Sequence, residues 1–449
     1  MNKRLLVTLG TGLTAMTLLA NGMASAAPSK NVGHYPGFPT YTGQANITWW
    51  TWVPNYQGEV KIFEKYYPNI HVKALNVGAG TPEYTKLNTV IAAKHGAPDV
   101  VMIEFGMLPQ FIQTGGLLNI SKYVDSYKKA FPQWVWNLVS YNNGVYAMPE
   151  DTGPMGLYYR TDVFSKYHLA VPKTWAQFEQ DALAYHKKTG KVFSDFAEND
   201  GQWMQGLMWQ MGLTPFHQLG PNKWQVNIDS PQAVKLFSSW GTMIKAGAVN
   251  TLGDWTPAWK KALATGEYAA LEACAWFPSE AFDENLPKKP NYHWHAASTP
   301  QWFPGKVING DWGGSSQAVT NQTKYPEAAA IFAAFINSAA AELPHDVGPV
   351  PQGGGGLFPA ATAGFKTAAF KRGFPSLDGQ KAYQQVFAKA ENQVNTKFEF
   401  SPWSAYFYNE LSVEATKAAA GKESWSQALK NVQTNVVQFA QQQGYQITT

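Results

Sequence analysis

The stretch that decides the fold is residues 45–104, ANITWWTWVPNYQGEVKIFEKYYPNIHVKALNVGAGTPEYTKLNTVIAAKHGAPDVVMIE. Residues rich in β-formers at 47–52 and 70–77 predict two strands, and apolar residues at helical spacing follow each of them. The continuous apolar run at 99–103 is typical of a strand that is covered on both faces. This β-α-β-α-β order predicts a parallel sheet with helices on both sides.

A second unit of strands and helices is predicted from about residue 153 onward. Residues 156–159 and 268–276 have the apolar pattern of strands. Thr174, with Gln177 three residues later, forms the capping box that begins a helix. The end of the chain is predicted to be α-rich, with helices at 376–395, 403–420 and 424–443.

The composition excludes several classes of protein. Charged residues make up 15% of the 449 residues and aromatic residues 14%, which is too little charge and too many aromatics for a disordered chain. The net charge of +4 comes without a clustered basic face, so we expect no nucleic-acid partner. The single cysteine, Cys274, excludes a disulfide framework and cysteine-rich metal sites. The 18 tryptophans are unusual and indicate a surface that stacks on a ligand.

The N-terminus has the layout of a secretory signal peptide. Two basic residues precede an apolar stretch at 5–20, and Ala-Ser-Ala at 24–26 is a small-residue cleavage site. The apolar stretch is short for a membrane span, which needs about 20 residues. We expect residues 1–26 to be removed, residues 27–44 to form a flexible leader, and the protein to be exported to the periplasm or the extracellular space. No cysteine follows the apolar stretch, so we expect no lipid anchor through an N-terminal cysteine.

No motif of a common catalytic centre occurs in the sequence. It has no Gly-x-Ser-x-Gly nucleophile elbow, no phosphate-binding loop and no His-Glu-x-x-His zinc helix. Glu150 and Asp151 are adjacent acids that extended backbone points to opposite faces, which makes them a poor pair for glycoside hydrolysis. His293 and His295 share a strand face and could ligate a metal, but partly exposed strand histidines are the simpler interpretation. We therefore predict no catalytic residue, no metal and no cofactor.

Aromatic side chains recur where predicted strands run into loops, and ligands of open α/β sheets bind outside such strand ends. These residues are Trp50, Trp52, Trp255, Trp276 and Trp312. An indole covers the apolar C–H face of a sugar ring, while carboxylates accept hydrogen bonds from its hydroxyls. Glu104, just after the strand at 99–103, is such an acceptor. The pattern indicates a carbohydrate site, although core packing explains any single tryptophan equally well.

Several short motifs, in a fixed order, resemble one protein family. They are APDVV at 97–101, GGLL at 115–118, NGVYAMP at 143–149, LYYRTDVF at 157–164, VPKTW at 171–175, GEYAA at 266–270 and YPEAA at 325–329. Together they resemble the extracellular solute-binding proteins of ATP-binding-cassette sugar importers, family 1, the maltose-binding-protein type. The resemblance runs from about residue 45 to the C-terminus.

The resemblance implies an α/β fold of two lobes, like that of periplasmic binding proteins, with a ligand cleft between the lobes. An N-terminal lobe is expected at 45–152 and 305–351, and a C-terminal lobe at 153–304 and 352–449. Three hinge crossings are expected near Glu150–Gly153, Thr299–Gly310 and Pro349–Gly353.

The resemblance also implies a set of ligand-binding residues. Trp276 falls on the family's position for an aromatic that stacks on the sugar, and Glu104, Asp151 and Trp312 fall in cleft-facing stretches. Trp403 and Tyr406 lie near the start of a late helix that often adds an aromatic. The full expected set is Trp50, Trp52, Glu104, Asp151, Tyr158, Trp255, Trp276, Trp312, Gly313, Trp403 and Tyr406.

The function implied by the resemblance is that of a monomeric binding protein rather than an enzyme. It would capture a sugar or oligosaccharide and deliver it to the membrane permease subunits of an ABC importer, without inserting into the membrane itself. A secreted carbohydrate-active enzyme, a hydrolase or lyase, is the alternative, because tryptophan-rich clefts serve both classes. A third possibility is a binding protein for a peptide or a polyamine. A polyamine site needs several acids around a cation, and the aromatic segments of this sequence contain few.

Overall fold

The computed structural model describes residues 32–288, 292–372, 374–378, 380 and 383–449. The predicted signal peptide at 1–26 lies outside the described residues. In this part of the chain the strands are β1 (Ala45–Trp50), β2 (Ile70–Leu75), β3 (Val100–Glu104), β4 (Ser140–Tyr141), β5 (Gly144–Val145), β6 (Ala147–Asp151), β7 (Met155–Arg160), β8 (Ser194–Asp195), β9 (Phe216–Gly220), β10 (Lys223–Val226), β11 (Val249–Asn250), β12 (Ala270–Cys274), β13 (Trp294–Ser298), β14 (Ser315–Val319) and β15 (Gln446–Thr448).

Helices connect and cover these strands. They are α1 (Gln57–Tyr66), α2 (Thr81–Ala92), α3 (Leu108–Gln113), α4 (Ser121–Val124), α5 (Gln133–Leu138), α6 (Thr161–Tyr167), α7 (Trp175–Thr189), α8 (Gly201–Gln210), α9 (Pro231–Lys245), α10 (Pro257–Ala264), α11 (Asp283–Asn285), α12 (Pro326–Ser338), α13 (Leu343–Asp346), α14 (Tyr383–Glu391), α15 (Ser404–Ala419) and α16 (Trp425–Gln442). The Thr174 capping box is present at the start of α7.

The first sheet has five strands in the order β2-β1-β3-β14-β6. Strand β1 runs parallel to both β2 and β3, as the β-α-β-α-β pattern of residues 45–104 predicts. Strand β14 comes from much later in the chain and pairs antiparallel with β3 and β6. We call this sheet and the helices on it the N lobe.

The second sheet consists of β12-β7-β13, and both outer strands run antiparallel to β7. Helices α7, α8, α9, α15 and α16 pack around one another in this half of the molecule. We call this sheet and these helices the C lobe. The predicted α-rich chain end therefore belongs to the same body as β7.

Each lobe has its own hydrophobic core. The N-lobe core takes most of its residues from 45–148 and 318–343, and the C-lobe core takes most of its residues from 155–312 and 347–440. Because each core collects segments that are distant in sequence, the chain must pass repeatedly between the lobes. The two-lobe α/β fold predicted from the sequence is thus confirmed.

The segments that cross between the lobes run side by side and are hydrogen-bonded to one another. The first crossing, at 152–154, separates β6 from β7. The Trp312 N–H donates to the Gly153 carbonyl at 2.9 Å, and the Thr152 N–H donates to the Phe358 carbonyl at 2.9 Å. The Gly153 N–H donates to the Asp311 carboxylate at 2.9 Å. These bonds connect the first crossing, at 152–154, to residues 311–312 in the second crossing and to Phe358 in the third.

Part of the predicted leader packs against the N lobe. Gly33 pairs with Tyr41 in an antiparallel bridge, and the His34 N–H donates to the Tyr66 carbonyl at 2.9 Å. The Tyr35 ring lies edge-on to Phe335 with the ring centroids 5.1 Å apart. These contacts hold residues 33–41 on the lobe, which corrects the expectation of a flexible leader for this part of it.

Candidate functional site

Two adjoining cavities lie between the lobes, at the carboxyl ends of β1 and β3. The first has a volume of about 90 Å³ and is lined by Trp52, Val53, Met102, Glu104, Asp151, Trp276, Glu280, Gly313, Gly314, Ser315 and Leu357. The second has a volume of about 480 Å³ and is lined by Gly80, Thr81, Tyr84, Glu104, Met107, Asn199, Asp200, Gly201, Gln202, Asp254, Trp255, Ala405, Tyr408, Asn409 and Ser412. Glu104 lines both cavities, and we call the two together the cleft.

Glu104 connects the two sides of the cleft. Its Oε2 accepts a hydrogen bond from the Tyr84 hydroxyl of the N lobe at 2.8 Å and from Gln202 Nε2 of the C lobe at 3.2 Å. Burial raises the pKa of the Glu104 carboxyl, and these two hydrogen bonds oppose the rise. A buried carboxylate held in this way is placed to accept hydrogen bonds from ligand hydroxyls.

An aromatic surface forms the C-lobe side of the cleft. The Trp276 ring follows β12 and lies nearly parallel to Trp255, with centroids 6.4 Å apart and planes inclined by 25°. Trp276 is partly buried, and its Nε1 donates to the Trp312 carbonyl at 3.1 Å. A Cβ on Gly153 would lie 1.9 Å from that carbonyl oxygen and 2.9 Å from Trp276 Nε1. The hinge glycine and the backbone of Trp312 therefore fix the position of the Trp276 ring.

Glu150 and Asp151 stand at the end of β6 but have different surroundings. Glu150 accepts hydrogen bonds from Ser315 Oγ and Gln317 Nε2, both at 2.9 Å, and does not line the cleft. Asp151 lines the cleft and accepts the Ser315 N–H at 2.8 Å. Burial raises the pKa of Glu150 to about 8 and that of Asp151 to about 6. The adjacent acids are thus anchored to the N lobe rather than arranged as a pair around a substrate.

Further carboxyls line the C-lobe side. Asp200 caps the start of α8 by accepting the Trp203 N–H at 2.8 Å. Asn199 Oδ1 accepts the Asp254 N–H at 2.9 Å and so holds the loop that carries Asp254. Burial and the neighbouring Asp200 raise the pKa of Asp254 to about 9. Burial and the charge of Asp151 raise the pKa of Glu280 to about 7.

The cleft is therefore acidic and aromatic. Five carboxyls line it, and its lining residues include no lysine, arginine or histidine, as the two sets given above show. Such a surface offers acceptors for hydroxyl groups and apolar faces for sugar rings. It offers no side-chain cation to neutralise an anionic ligand.

The structure brings together six of the eleven residues expected from the sequence. Trp52, Glu104, Asp151, Trp276 and Gly313 line one cavity, and Trp255 lines the adjoining one, where it is 36% exposed. All of these residues lie at strand ends or in the loops that follow.

The other five expected residues lie elsewhere, which corrects their assignment to the cleft. Tyr158 is fully buried in the C-lobe core, and its hydroxyl donates to the Cys274 carbonyl at 2.7 Å. Trp50 packs against the N-lobe core. Trp312 is 4% exposed and packs behind Trp276, with ring centroids 5.0 Å apart, as part of the C-lobe core. None of these three rings is among the residues that line the two cavities.

Trp403 and Tyr406 line a different cavity, of about 480 Å³, beside Phe439 and Tyr445. Tyr406 stacks on Phe439 with centroids 4.1 Å apart. The aromatic that helix α15 brings to the cleft is instead Tyr408, whose hydroxyl donates to Gln205 at 2.7 Å. A Cβ on Gly106 of the N lobe would lie 2.3 Å from the Tyr408 hydroxyl, so this contact also joins the lobes.

Sequence reasoning missed several residues of the cleft. They are Tyr84, Asn199, Asp200, Gln202, Asp254, Glu280, Tyr408, Asn409 and Ser412. One signal was available, because residues 405, 408, 409 and 412 share a helical face at the spacing i, i+3, i+4 and i+7. The loop residues have no comparable local signal.

Comparison with known proteins agrees with this arrangement. Residues 49–343 match the family described as bacterial extracellular solute-binding protein. The arabinooligosaccharide-binding protein of Halalkalibacterium halodurans is 22% identical over 311 residues, which cover 65% of this chain and 67% of that protein. The ABC transporter associated binding protein from B. animalis subsp. lactis Bl-04, solved with beta-1,6-galactobiose, is 26% identical with a TM-score of 0.78, covering 91% of this chain and 100% of that chain. The galacto-N-biose-/lacto-N-biose I-binding protein from Bifidobacterium longum, solved with lacto-N-biose, is 22% identical with a TM-score of 0.77, covering 90% of this chain and 99% of that chain.

The family match covers about two thirds of the chain and includes the end of β1, the first crossing and β14. Among the described helices, none combines the length and the apolar character that a membrane crossing requires. The matched family consists of solute carriers that bind without chemical conversion, so the chain is a binding protein and not an enzyme. The chain belongs to the bacterial extracellular solute-binding proteins.

Proposed function

We propose that this chain binds a neutral oligosaccharide in the cleft and delivers it to the permease of an ABC importer. The observation that carries the proposal is the Trp255–Trp276 pair, with planes inclined by 25°, beside the cavities that Glu104 lines. Indole surfaces cover sugar faces, and the carboxyls around them accept hydrogen bonds from sugar hydroxyls. The adjoining cavities measure about 90 and 480 Å³, and the larger one is in the size range of small-molecule sites.

The relatives support an oligosaccharide as the ligand. They include an arabinooligosaccharide-binding protein, a lactose-binding protein and a binding protein solved with beta-1,6-galactobiose. These names share a neutral sugar of two or more units, which agrees with the absence of a basic side chain among the residues that line the cleft. Because five carboxyls line the cleft, a cationic ligand such as a polyamine is the second candidate.

Export without a lipid anchor is part of the same proposal. We infer that residues 1–26 are removed and that the protein works outside the cytoplasm as a monomer. The leader pattern in the sequence and the extracellular family support this inference. Mass spectrometry of the exported protein should give an N-terminus at or near Ala27, and a species that retains Met1 would contradict it.

We also infer that the two lobes close on the ligand as hinged bodies. The three crossings, which are hydrogen-bonded to one another, support this, because hinge closure is common in binding proteins built in this way. Small-angle scattering should show a smaller radius of gyration when the ligand is bound. An unchanged radius at saturation would contradict closure.

A thermal-shift screen of the full chain tests the ligand class. The panel contains lactose, beta-1,6-galactobiose, lacto-N-biose and arabino-oligosaccharides, with glucose, galactose and spermidine for comparison. A ligand at 100 times its Kd stabilises the folded state by about 2.7 kcal/mol. At least one neutral oligosaccharide should raise the melting temperature more than the monosaccharides and spermidine do. A larger rise with spermidine would favour the polyamine candidate and contradict the proposal.

A further inference from the structure

A second group of polar side chains lies away from the cleft lining, where α1 meets α13. Glu59 stands in the first turn of α1, Glu342 immediately precedes α13, and His345 and Asp346 end that helix. One potential ligand atom from each of Glu59, His345 and Asp346 lies within 4.8 Å of the other two. Glu59 is 1% exposed and Asp346 is 6% exposed, so their carboxyls are largely removed from water.

Several atoms of this group lack a hydrogen-bond partner among the described residues. They are Glu59 Oε1 and both carboxylate oxygens of Glu342. Glu342 is fully buried, and its Oε1 faces His345 Nδ1 at 3.5 Å, which is longer than a normal hydrogen bond. Buried polar atoms normally have partners, and a buried charge without one is costly. The group therefore points to a ligand outside the chain.

The charges of the group indicate what that ligand is. Three carboxyls surround one imidazole, and within the described residues the ion pairs of lysine and arginine involve only Asp162 and Glu414. A divalent cation would offset this local excess of acid.

We propose that Glu59, His345 and Asp346 bind a divalent transition-metal ion, with zinc the best match, and that Glu342 orients the His345 ring. Zinc accepts imidazole and carboxylate ligands at about 2.0–2.2 Å, so the donor atoms need to approach one another by at most about 1.5 Å. Calcium takes oxygen ligands, usually six to eight, and an imidazole nitrogen does not suit it. A carboxylate behind a ligating histidine is a common arrangement, since it fixes the ring and its tautomer.

The local packing fits a tight site between the two helices. A Cβ on Gly58 would lie 2.1 Å from His345 Nε2, so the glycine of α1 leaves the space that the imidazole occupies. The loop that follows α13 is hydrogen-bonded to the end of that helix. The Gly355 N–H donates to the His345 carbonyl and the Leu357 N–H donates to the Asp346 carbonyl, both at 2.9 Å. Leu357 lines the cleft. A bound ion would thus tie α1 to the start of the third crossing.

The primary test is calorimetric titration of the wild-type full chain, purified without a polyhistidine tag and stripped with a chelator. Zinc chloride should bind with one equivalent in a saturable transition and raise the melting temperature. Calcium chloride should do neither at the same concentration. Absence of saturable zinc binding by the wild type would overturn the proposal, and so would equal binding of calcium.

Variants then locate the ion. Glu59→Gln and His345→Gln keep the side-chain size and should each weaken zinc binding at least tenfold, since loss of even an outer partner of a metal site costs about 10–100-fold in affinity. Glu342→Gln should have the smaller effect of such an outer partner. His71→Gln is the matched control, because His71 is 63% exposed beside Glu64 on a different face of the N lobe.

A spectroscopic readout separates loss of the site from loss of folding. Cobalt in place of zinc should give visible absorption bands in the wild type and in His71→Gln, and weaker bands in His345→Gln. Circular dichroism of the metal-free variants confirms that each is folded. Unchanged zinc affinity in folded Glu59→Gln and His345→Gln would overturn the assignment, and the wild-type titration decides the proposal if a variant does not fold.

Discussion

Gln202 Nε2 of the C lobe donates a hydrogen bond to Glu104 Oε2 of the N lobe at 3.2 Å, across the cleft. The same oxygen accepts the hydroxyl of Tyr84 from its own lobe at 2.8 Å. One carboxylate is therefore positioned by its own lobe and also contacts the other lobe. Because Glu104 lines both cavities, a ligand in either one can contact its carboxylate. Glu104 is therefore the first position to test.

Replacement of Glu104 by glutamine should weaken oligosaccharide binding about tenfold. Hydrogen bonds to charged groups contribute about 1.5–3 kcal/mol against about 1 kcal/mol for neutral pairs, and 1.4 kcal/mol corresponds to tenfold. Calorimetry with the best ligand of the sugar panel measures the change. Glu272→Gln is the control, because Glu272 is a buried carboxyl that accepts from Thr299 in the C lobe, away from the cleft. Equal affinities of Glu104→Gln and the wild type would contradict the role of Glu104.

Anionic sugars should bind at least tenfold more weakly than neutral sugars of the same length and linkage. The cleft is lined by five carboxyls without a basic side chain among its lining residues, and like charges brought together without water repel strongly. Competition between a neutral disaccharide and its uronic-acid counterpart measures the difference. A uronate that binds as tightly as the neutral sugar would show that the acids do not face the ligand.

Stability of the metal-free protein should fall as the pH rises from about 6 to 9. Burial raises the pKa of Glu83, Glu150 and Glu391 to about 8 in each case, well above the value of an exposed glutamate. The folded state then binds more protons than the unfolded state in this range, so the free energy of unfolding decreases as these groups ionise. Urea denaturation at several pH values, with chelator present, measures the slope. Glu391→Gln should flatten it, and a stability that increases with pH would contradict the account.

Gly153→Ala should lower both stability and ligand affinity. The added Cβ would lie 1.9 Å from the Trp312 carbonyl oxygen, so the backbone that holds Trp276 must move. Overpacking of this kind costs about 1–3 kcal/mol. Gly220→Ala is the matched control, since the nearest atom to its Cβ would be 3.9 Å away. If Gly153→Ala unfolds and binds like the control, the crossing does not position the site.

The sequence predicted those parts of the fold and site that depend on local pattern. Apolar periodicity predicts strands β1 and β3. Trp52 and Glu104 are predicted as site residues because they lie at the carboxyl ends of these strands. Tyr158 and Trp403 carry the same aromatic signal as Trp276, and only the packing of distant segments decides that they are core residues.

The acids of the C-lobe side could not be predicted for a related reason. Asp254 lies in the loop before α10 and Glu280 in a helical turn after β12, and no local spacing in the sequence indicates that either side chain faces the cleft. The ligand set of Glu59 and His345 joins residues almost 300 positions apart in the sequence, so it appears only when α1 and α13 are packed together.

The measurement that tests the central claim most directly is the affinity of Trp276→Ala for the best oligosaccharide, taken together with its stability in urea. Stacking contributes about 0.5–1.5 kcal/mol beyond the buried area, which adds about 25 cal/mol per Å². We expect a loss of at least 2 kcal/mol, or about thirtyfold in affinity, with most of the folding stability retained because the ring is only partly buried. A variant that loses about 3–5 kcal/mol of stability, the cost of a core aromatic, yet binds the sugar as tightly as the wild type would contradict the account.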